Sequence, residues 1–280
     1  MANPAIPNAF SNFVHQCVCD EKAKSLFFIK VTSKANNYRQ MMTHLTDVCK
    51  MTEEKAHAAV TSSQFATGFV VGETEIVYRI LTCAHVFEEY YSAEYQLTMQ
   101  QLGQWFEVLV ICQHNEEHMA RTFPNRHANP NIDDRLYTAA TIVRCDQRRD
   151  LMLLEVSKEY LYGTHTFVRC QLSHPVLRFA NAVPRQLDDV SMVSWPPNRD
   201  DTPVIGQVVK QSREYGQMTS DLSKGYNMRL MELNINGDNG SSGAPILNQH
   251  GRVISMYHGR ANSLGYGVSA YDMREFLAQN

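Results

Sequence analysis

Asp238-Asn239-Gly240-Ser241-Ser242-Gly243-Ala244-Pro245 runs straight into the apolar Ile246 and Leu247. A serine bracketed by glycines in a tight turn before a strand is an arrangement that exposes a nucleophile on a β-barrel. Glycine two positions before the serine lets the backbone bend until two N–H groups, those of Gly240 and Ser242, converge on one spot where an oxyanion can form. Gly243 leaves the approach to the hydroxyl clear of a side chain. A serine hydroxyl alone is a weak nucleophile, so this reading requires a base and an orienting acid from elsewhere in the chain.

Both have candidates upstream. The base candidate is His85, at the end of the apolar run Ile80-Leu81-Thr82-Cys83-Ala84-His85-Val86. The acid candidate is Asp150, where the charged Arg148-Arg149-Asp150 gives way to Leu151-Met152-Leu153-Leu154. Asp133, Asp134 and Asp146 lack the apolar strand that follows Asp150 at once. The chain order is His, Asp, Ser, one of several orders in which the same geometry is built and the one used by double-barrel serine proteases.

With these residues in view, the sequence resembles the trypsin-like serine peptidases of the HtrA/Deg type. Phe65-Ala66-Thr67-Gly68-Phe69-Val70-Val71 is similar to the strand that precedes the family's histidine strand. Tyr137 to Asp146 followed by Asp150-Leu151, Leu187 to Pro196, and Val204 to Val209 are similar to its later strands. So are Gly251 to Ser255 and Gly265 to Ser269, while Met273 to Ala278 resembles its closing helix. The likeness is spread over roughly residues 60–278. It implies an all-β fold of two six-stranded antiparallel barrels with a short C-terminal helix. It also implies a serine endopeptidase acting on protein or peptide substrates through His85, Asp150 and Ser242 and an acyl-enzyme, with no metal or organic cofactor. The alternative implied by the same fold is an inactive peptide-binding or scaffold module. Because the sequence ends at Asn280 after the closing helix, the PDZ module that commonly follows in HtrA-type proteins is expected to be absent, and HtrA-like trimers built on an N-terminal arm make Phe10 and Phe13 candidates for assembly.

Composition is consistent with this. A chain of 280 residues with 44% hydrophobic residues can bury a full core. No apolar run approaches the ~18 residues needed to span a bilayer. The start, Met1-Ala2-Asn3-Pro4-Ala5-Ile6-Pro7, lacks a secretory pattern. A net charge of −3 gives no reason to expect nucleic acid or anionic membranes as partners. Seven cysteines make an odd set, which points to a reducing, intracellular compartment. The sequon Asn239-Gly240-Ser241 lies inside the nucleophile turn, where a glycan would bury the site.

Along the chain, residues 1–24 read as an arm and 25–280 as one unit, with barrels at about 25–157 and 172–270 and a helix at about 271–279. Residues 36–58 carry Met41, Met42, Leu45, Val48, Cys49 and Met51 at a helical period and read as an insertion. Tyr95 to Met99 and Trp105 to Cys112 read as strands, as do Val190–Trp195, Gly206–Val209 and Met228–Leu233. Gln113 to Arg135 reads as a long polar loop.

Two departures from the family pattern bear on regulation and packing. Where the trypsin branch has an aspartate that pairs with a newly cut N-terminus, this chain has Ser241, so activation by cleavage is not expected. Ala244 replaces the usual glycine or serine, which is tolerated unless its φ is positive. By resemblance, the specificity pocket is walled by Ile235 to Asn239 and Val253 to His258. That makes Asn236, Met256, Tyr257 and His258 candidate substrate-binding residues, with no preference assigned. A one-residue shift on that strand would turn His258 to the other face. His114-Asn115-Glu116-Glu117-His118 has two-histidine spacing but misplaces the glutamate of a zinc protease. His15, Cys17 and Cys19 lack a second ligand pair. Cys83, Trp105 and the Tyr90-Tyr91 pair read as core or rim.

Overall fold

Leu26-Phe27-Phe28-Ile29-Lys30-Val31 is the run that founds the first barrel, because every one of these residues is buried. A strand buried on both faces needs a neighbour on each edge and cover on each side. The computed structural model, which describes residues 22–112, 135, 137–160, 173–197, 202–218 and 222–279, supplies both. Strand β1 (Leu26–Ser33) pairs antiparallel with β2 (Gln64–Glu73) on one edge and β4 (Phe106–Cys112) on the other. With β3 (Val77–Thr82), β5 (Thr138–Asp146) and β6 (Leu151–Ser157) they close into a barrel of order β1-β2-β3-β6-β5-β4.

The second barrel repeats the plan. Its strands are β7 (Asp189–Ser194), β8 (Thr202–Glu214), β9 (Arg229–Leu233), β10 (Pro245–Asn248), β11 (Val253–Ala261) and β12 (Leu264–Ser269). They close in the order β10-β11-β12-β9-β8-β7. Closure gives every one of these strands a hydrogen-bonded neighbour on each side.

Between β1 and β2 the expected helical insertion forms, with α1 (Tyr38–Thr43), a π-helical turn and α2 (Glu53–Thr61). Met41, Leu45, Ala56 and Val60 face the barrel from it. The closing helix α4 (Ala270–Ala278) is capped by Ser269, whose Oγ accepts from Asp272 N at 3.2 Å, and seats Met273 and Phe276 in the core. Among the described residues no helix is long and apolar enough to cross a membrane.

Two strand expectations require correction. Tyr95 to Met99 is not a strand, because Thr98 and Gln101 form a capping box that starts α3 (Met99–Trp105). Thr98 Oγ1 accepts from Gln101 N at 3.2 Å and Gln101 Oε1 accepts from Thr98 N at 2.9 Å. Two satisfied donors outweigh the alternating pattern, and the strand begins only at Phe106. Strand β8 is longer than Gly206–Val209, because its polar stretch from Lys210 to Glu214 pairs with β9 through two register shifts. The arm with Phe10 and Phe13, the His15-to-Cys19 cluster, the His114-to-His118 pair and nearly all of the Gln113 to Arg135 loop lie outside the described residues. Trp105, Tyr90, Tyr91 and Cys83 are all buried in the core.

The seam between the barrels is stitched by one threonine on β2. Thr67 N donates to Ser242 O at 2.8 Å, and Thr67 Oγ1 donates to Gly240 O at 2.9 Å and accepts from Trp195 N at 3.0 Å. The turn carrying Ser242 is thus fixed directly to the first barrel.

Candidate active site

The turn from Asp146 to Asp150 delivers the first component. Asp146 Oδ1 accepts from Arg148 N and Arg149 N at 3.1 and 3.0 Å, turning the chain tightly into β6. Asp150 then adopts a left-handed conformation, φ 57°, which aspartate tolerates better than most residues. Its carboxylate is wholly buried. Oδ1 accepts from Ala84 N at 2.9 Å and His85 N at 2.7 Å. Oδ2 accepts from His85 Nδ1 at 2.8 Å and from His258 Nδ1 at 2.6 Å. Burial by itself favours the neutral acid, but the two imidazoles and their hydrogen bonds overcome it and hold Asp150 well below the usual carboxylate range.

His85 opens a short 3-10 turn after β3, with its own N–H on the carboxylate it orients toward. Because Nδ1 donates to Asp150, the neutral ring carries its lone pair on Nε2. Burial works against the imidazolium, and Asp150 outweighs that, so the pKa of His85 lies well above 6.5.

Ser242 sits between two glycines with positive φ, Gly240 at 89° and Gly243 at 84°. Ala244 is not among the positive-φ residues, so its methyl group is accommodated and buried. Ser241 is also buried, its Oγ 2.9 Å from Ser194 Oγ and accepting from Asp238 N at 3.1 Å. Among the described residues, neither Gly240 N nor Ser242 N has a hydrogen-bond acceptor. Ser242 Oγ itself donates to His258 O at 3.2 Å.

A Cβ built at Gly243 would lie 2.1 Å from Thr67 O. Gly243→Ala combines that clash with a left-handed φ, and it should destabilise the fold by about 2 kcal/mol or more. Urea denaturation checks this, and an unchanged midpoint would show that the turn is not held as described.

His85 and Ser242 line one cleft of about 470 Å³, together with Gly240, Asp238, Tyr257 and Arg260. Of the substrate-binding candidates, Tyr257 lines this cleft, and its hydroxyl accepts from Gly237 N at 3.1 Å. Met256 is buried in the core, Asn236 is exposed outside the cleft lining, and His258 turns to Asp150. The register of β11 against β12 shifts between Tyr257 and Gly259, and adjacent side chains there leave on opposite faces. Sequence reasoning does not single out Arg260. The signal that could have found it is the extension of β11 beyond His258.

His85, Asp150 and His258 also bring three metal-ligand atoms within 4.8 Å of one another. The Nδ1–Oδ2 separations of 2.8 and 2.6 Å are hydrogen-bond lengths. They fall short of the roughly 3.3 Å between ligands around a tetrahedral zinc with bonds of about 2.0–2.1 Å. These atoms hold protons as arranged. Burial raises the Cys145 thiol far above its ordinary range, so it is no competing nucleophile.

The profile of trypsin-like peptidase domains matches residues 66–256. Among solved structures, the Rv3671c protease from M. tuberculosis in its active form is similar at 17% identity, covering 99% of this chain and 91% of that one, with a TM-score of 0.57. Its inactive form from M. tuberculosis H37Rv, carrying a serine-to-alanine substitution, is similar at 16% identity over 99% and 93%, with a TM-score of 0.54. No curated protein matches the sequence. Twin closed barrels, a serine turn pinned across their seam, and a profile match over most of the length lead to one conclusion: this chain belongs to the trypsin-like peptidase domain family.

Proposed function

We propose that the protein is a serine endopeptidase of HtrA-like type in which Ser242 attacks a peptide carbonyl to form an acyl-enzyme. His85 takes the hydroxyl proton at Nε2 and returns it to the leaving amine. Asp150 fixes the ring's tautomer and balances the imidazolium. The N–H groups of Gly240 and Ser242 receive the oxyanion. The observation that carries this reading is the 2.8 Å bond from His85 Nδ1 to a buried Asp150, with the same histidine lining a cleft beside Ser242 and its two open N–H donors. The substrate is a peptide segment laid over the cleft, with its side chain directed toward Tyr257 and Arg260.

Cys49, Cys83 and Cys145 are unbridged, which supports a reducing, intracellular setting. A second reading, a peptide-binding module without turnover, rests on the Ser242 hydroxyl bonding to His258 O instead of His85.

A fluorophosphonate probe distinguishes the readings. The proposal expects a covalent adduct mapped to Ser242 by mass spectrometry, and a well-folded protein that never labels would leave only the binding module. The labelling rate also carries a pH signature. The base form of His85 is required, and its raised pKa delays proton loss to higher pH. The rate should therefore climb with pH through a midpoint above 6.5. A midpoint at or below that value would separate the reactive base from the His85–Asp150 pair.

A further inference from the structure

We propose that His258 is a positioning residue of this site, a second imidazole that shares Oδ2 of Asp150 with His85 and divides the carboxylate's charge between two rings. The proposal rests on the peptidase reading and adds a component to it.

Four donors converge on Asp150: two backbone N–H groups on Oδ1 and two Nδ1–H groups on Oδ2. That fills the accepting capacity of a carboxylate. The bond from His258 is the shorter of the two on Oδ2, 2.6 Å against 2.8 Å. His258 is therefore no bystander, because it competes directly for the electron density on which His85 depends. When His85 takes the proton from Ser242, the balancing negative charge is one already drawn partly toward His258. The consequence is a His85 that is more readily deprotonated than it would be over an undivided carboxylate.

The placement of His258 is specified by its surroundings. Neighbours on β11 alternate between faces, so Tyr257 meets Gly237 N while His258 meets Asp150. The His258 ring stands at 89° to the His85 ring, with centroids 5.1 Å apart, so it buttresses His85 edge to face. Tyr226 and Tyr215 meet His258 at 84° and 85° from the other side. The Tyr226 hydroxyl donates to Glu88 Oε1 at 3.0 Å and lies 3.0 Å from the Tyr91 hydroxyl, and Lys224 Nζ donates to Glu88 O at 2.6 Å. The titratable and charged groups around the paired rings are therefore Asp150, Tyr91, Tyr215, Tyr226, Glu88 and Lys224. Among the described residues two thiols also belong to these surroundings, Cys83 against His85 and Cys145 near Asp150. The main chain of His258 has a separate part, since its carbonyl receives Ser242 Oγ. Side-chain substitution leaves that contact in place and isolates the imidazole.

His258→Leu removes the second donor and returns the whole carboxylate to His85. The acid limb of kcat/KM should then move to higher pH by about one unit, with roughly tenfold lower activity on the acid side. His258→Asn restores an N–H to Oδ2 and should bring the limb back to within about 0.3 unit of wild type. A limb unmoved by His258→Leu, or moved equally by His258→Asn, would overturn the proposal, since loss of packing alone gives those results.

An NMR titration of His85 in the Ser242→Ala protein, with and without His258→Leu, reads the same shift without turnover. Failure there sinks the role of His258, whereas failure of wild-type probe labelling sinks the peptidase reading, and the two are separable. Should His258→Leu not fold, the Ser242→Ala protein still decides. Two strongly deshielded Nδ1 protons are expected, one on each ring, and the absence of the second would overturn the shared carboxylate.

Discussion

Ser242→Ala is expected to lower peptide hydrolysis by on the order of 10⁵–10⁶-fold and to abolish fluorophosphonate labelling while leaving stability almost unchanged. Removing the nucleophile of a serine–histidine pair costs about as much as removing the pair, because its members act as a unit. The structural cost is small for a reason visible in the turn. The backbone of residue 242 keeps its bond to Thr67 N at 2.8 Å, and the positive-φ glycines on either side remain. The only hydrogen bond of the Ser242 side chain among the described residues is that to His258 O, at 3.2 Å. Its loss should cost no more than about 1 kcal/mol. Residual activity roughly 10³–10⁴ above the uncatalysed rate should survive, carried by the backbone N–H groups at positions 240 and 242, which the substitution leaves in place. Steady-state kinetics on a peptide library, paired with thermal unfolding, measures both halves. Undiminished hydrolysis would mean that Ser242 is not the attacking group.

Asp150→Asn should reduce kcat/KM by about 10⁴-fold at neutral pH, and the two histidines make the reason unusually direct. Ala84 N and His85 N both point at Oδ1 and require an acceptor, so the amide oxygen of an asparagine must take that side. The amide nitrogen is then left facing His85 Nδ1 and His258 Nδ1. A nitrogen that donates forces both rings to accept at Nδ1 and to carry their protons on Nε2. His85 then has no lone pair on Nε2 to receive the proton from Ser242. The alternative flip would present two backbone donors to another donor inside a fully buried site, which is costlier. Activity should recover in part at high pH, where hydroxide can replace the missing base. A loss below about tenfold at pH 7 would show that the tautomer of His85 is set by something other than Asp150.

How far the sequence reaches can be judged element by element. Apolar runs beside polar or charged residues, such as Leu26 to Val31 and Leu151 to Leu154, mark strands buried on both faces in the first barrel, while the pairing of two barrels is what the family resemblance implies. The helical spacing of Met41 and Leu45 likewise marks the insertion, because helix period is a property of neighbouring residues. Tyr95 to Met99 reads wrongly as a strand because a capping box at Thr98 and Gln101 competes with alternation. The tail of β8 escapes the sequence because its polar residues follow register shifts that only a partner strand imposes.

The candidate site divides in the same way. The chain by itself determined the glycine-framed serine, the apolar approach to His85 and the strand after Asp150, since each depends on residues adjacent in sequence. Only the tertiary structure decided that His258 turns from the cleft to Asp150, across a separation of 108 residues, and that Tyr257 lines the cleft in its place. The physical reason is that alternation along β11 separates the two neighbours onto opposite faces, whereas which face meets Asp150 is set by pairing with strands remote in sequence.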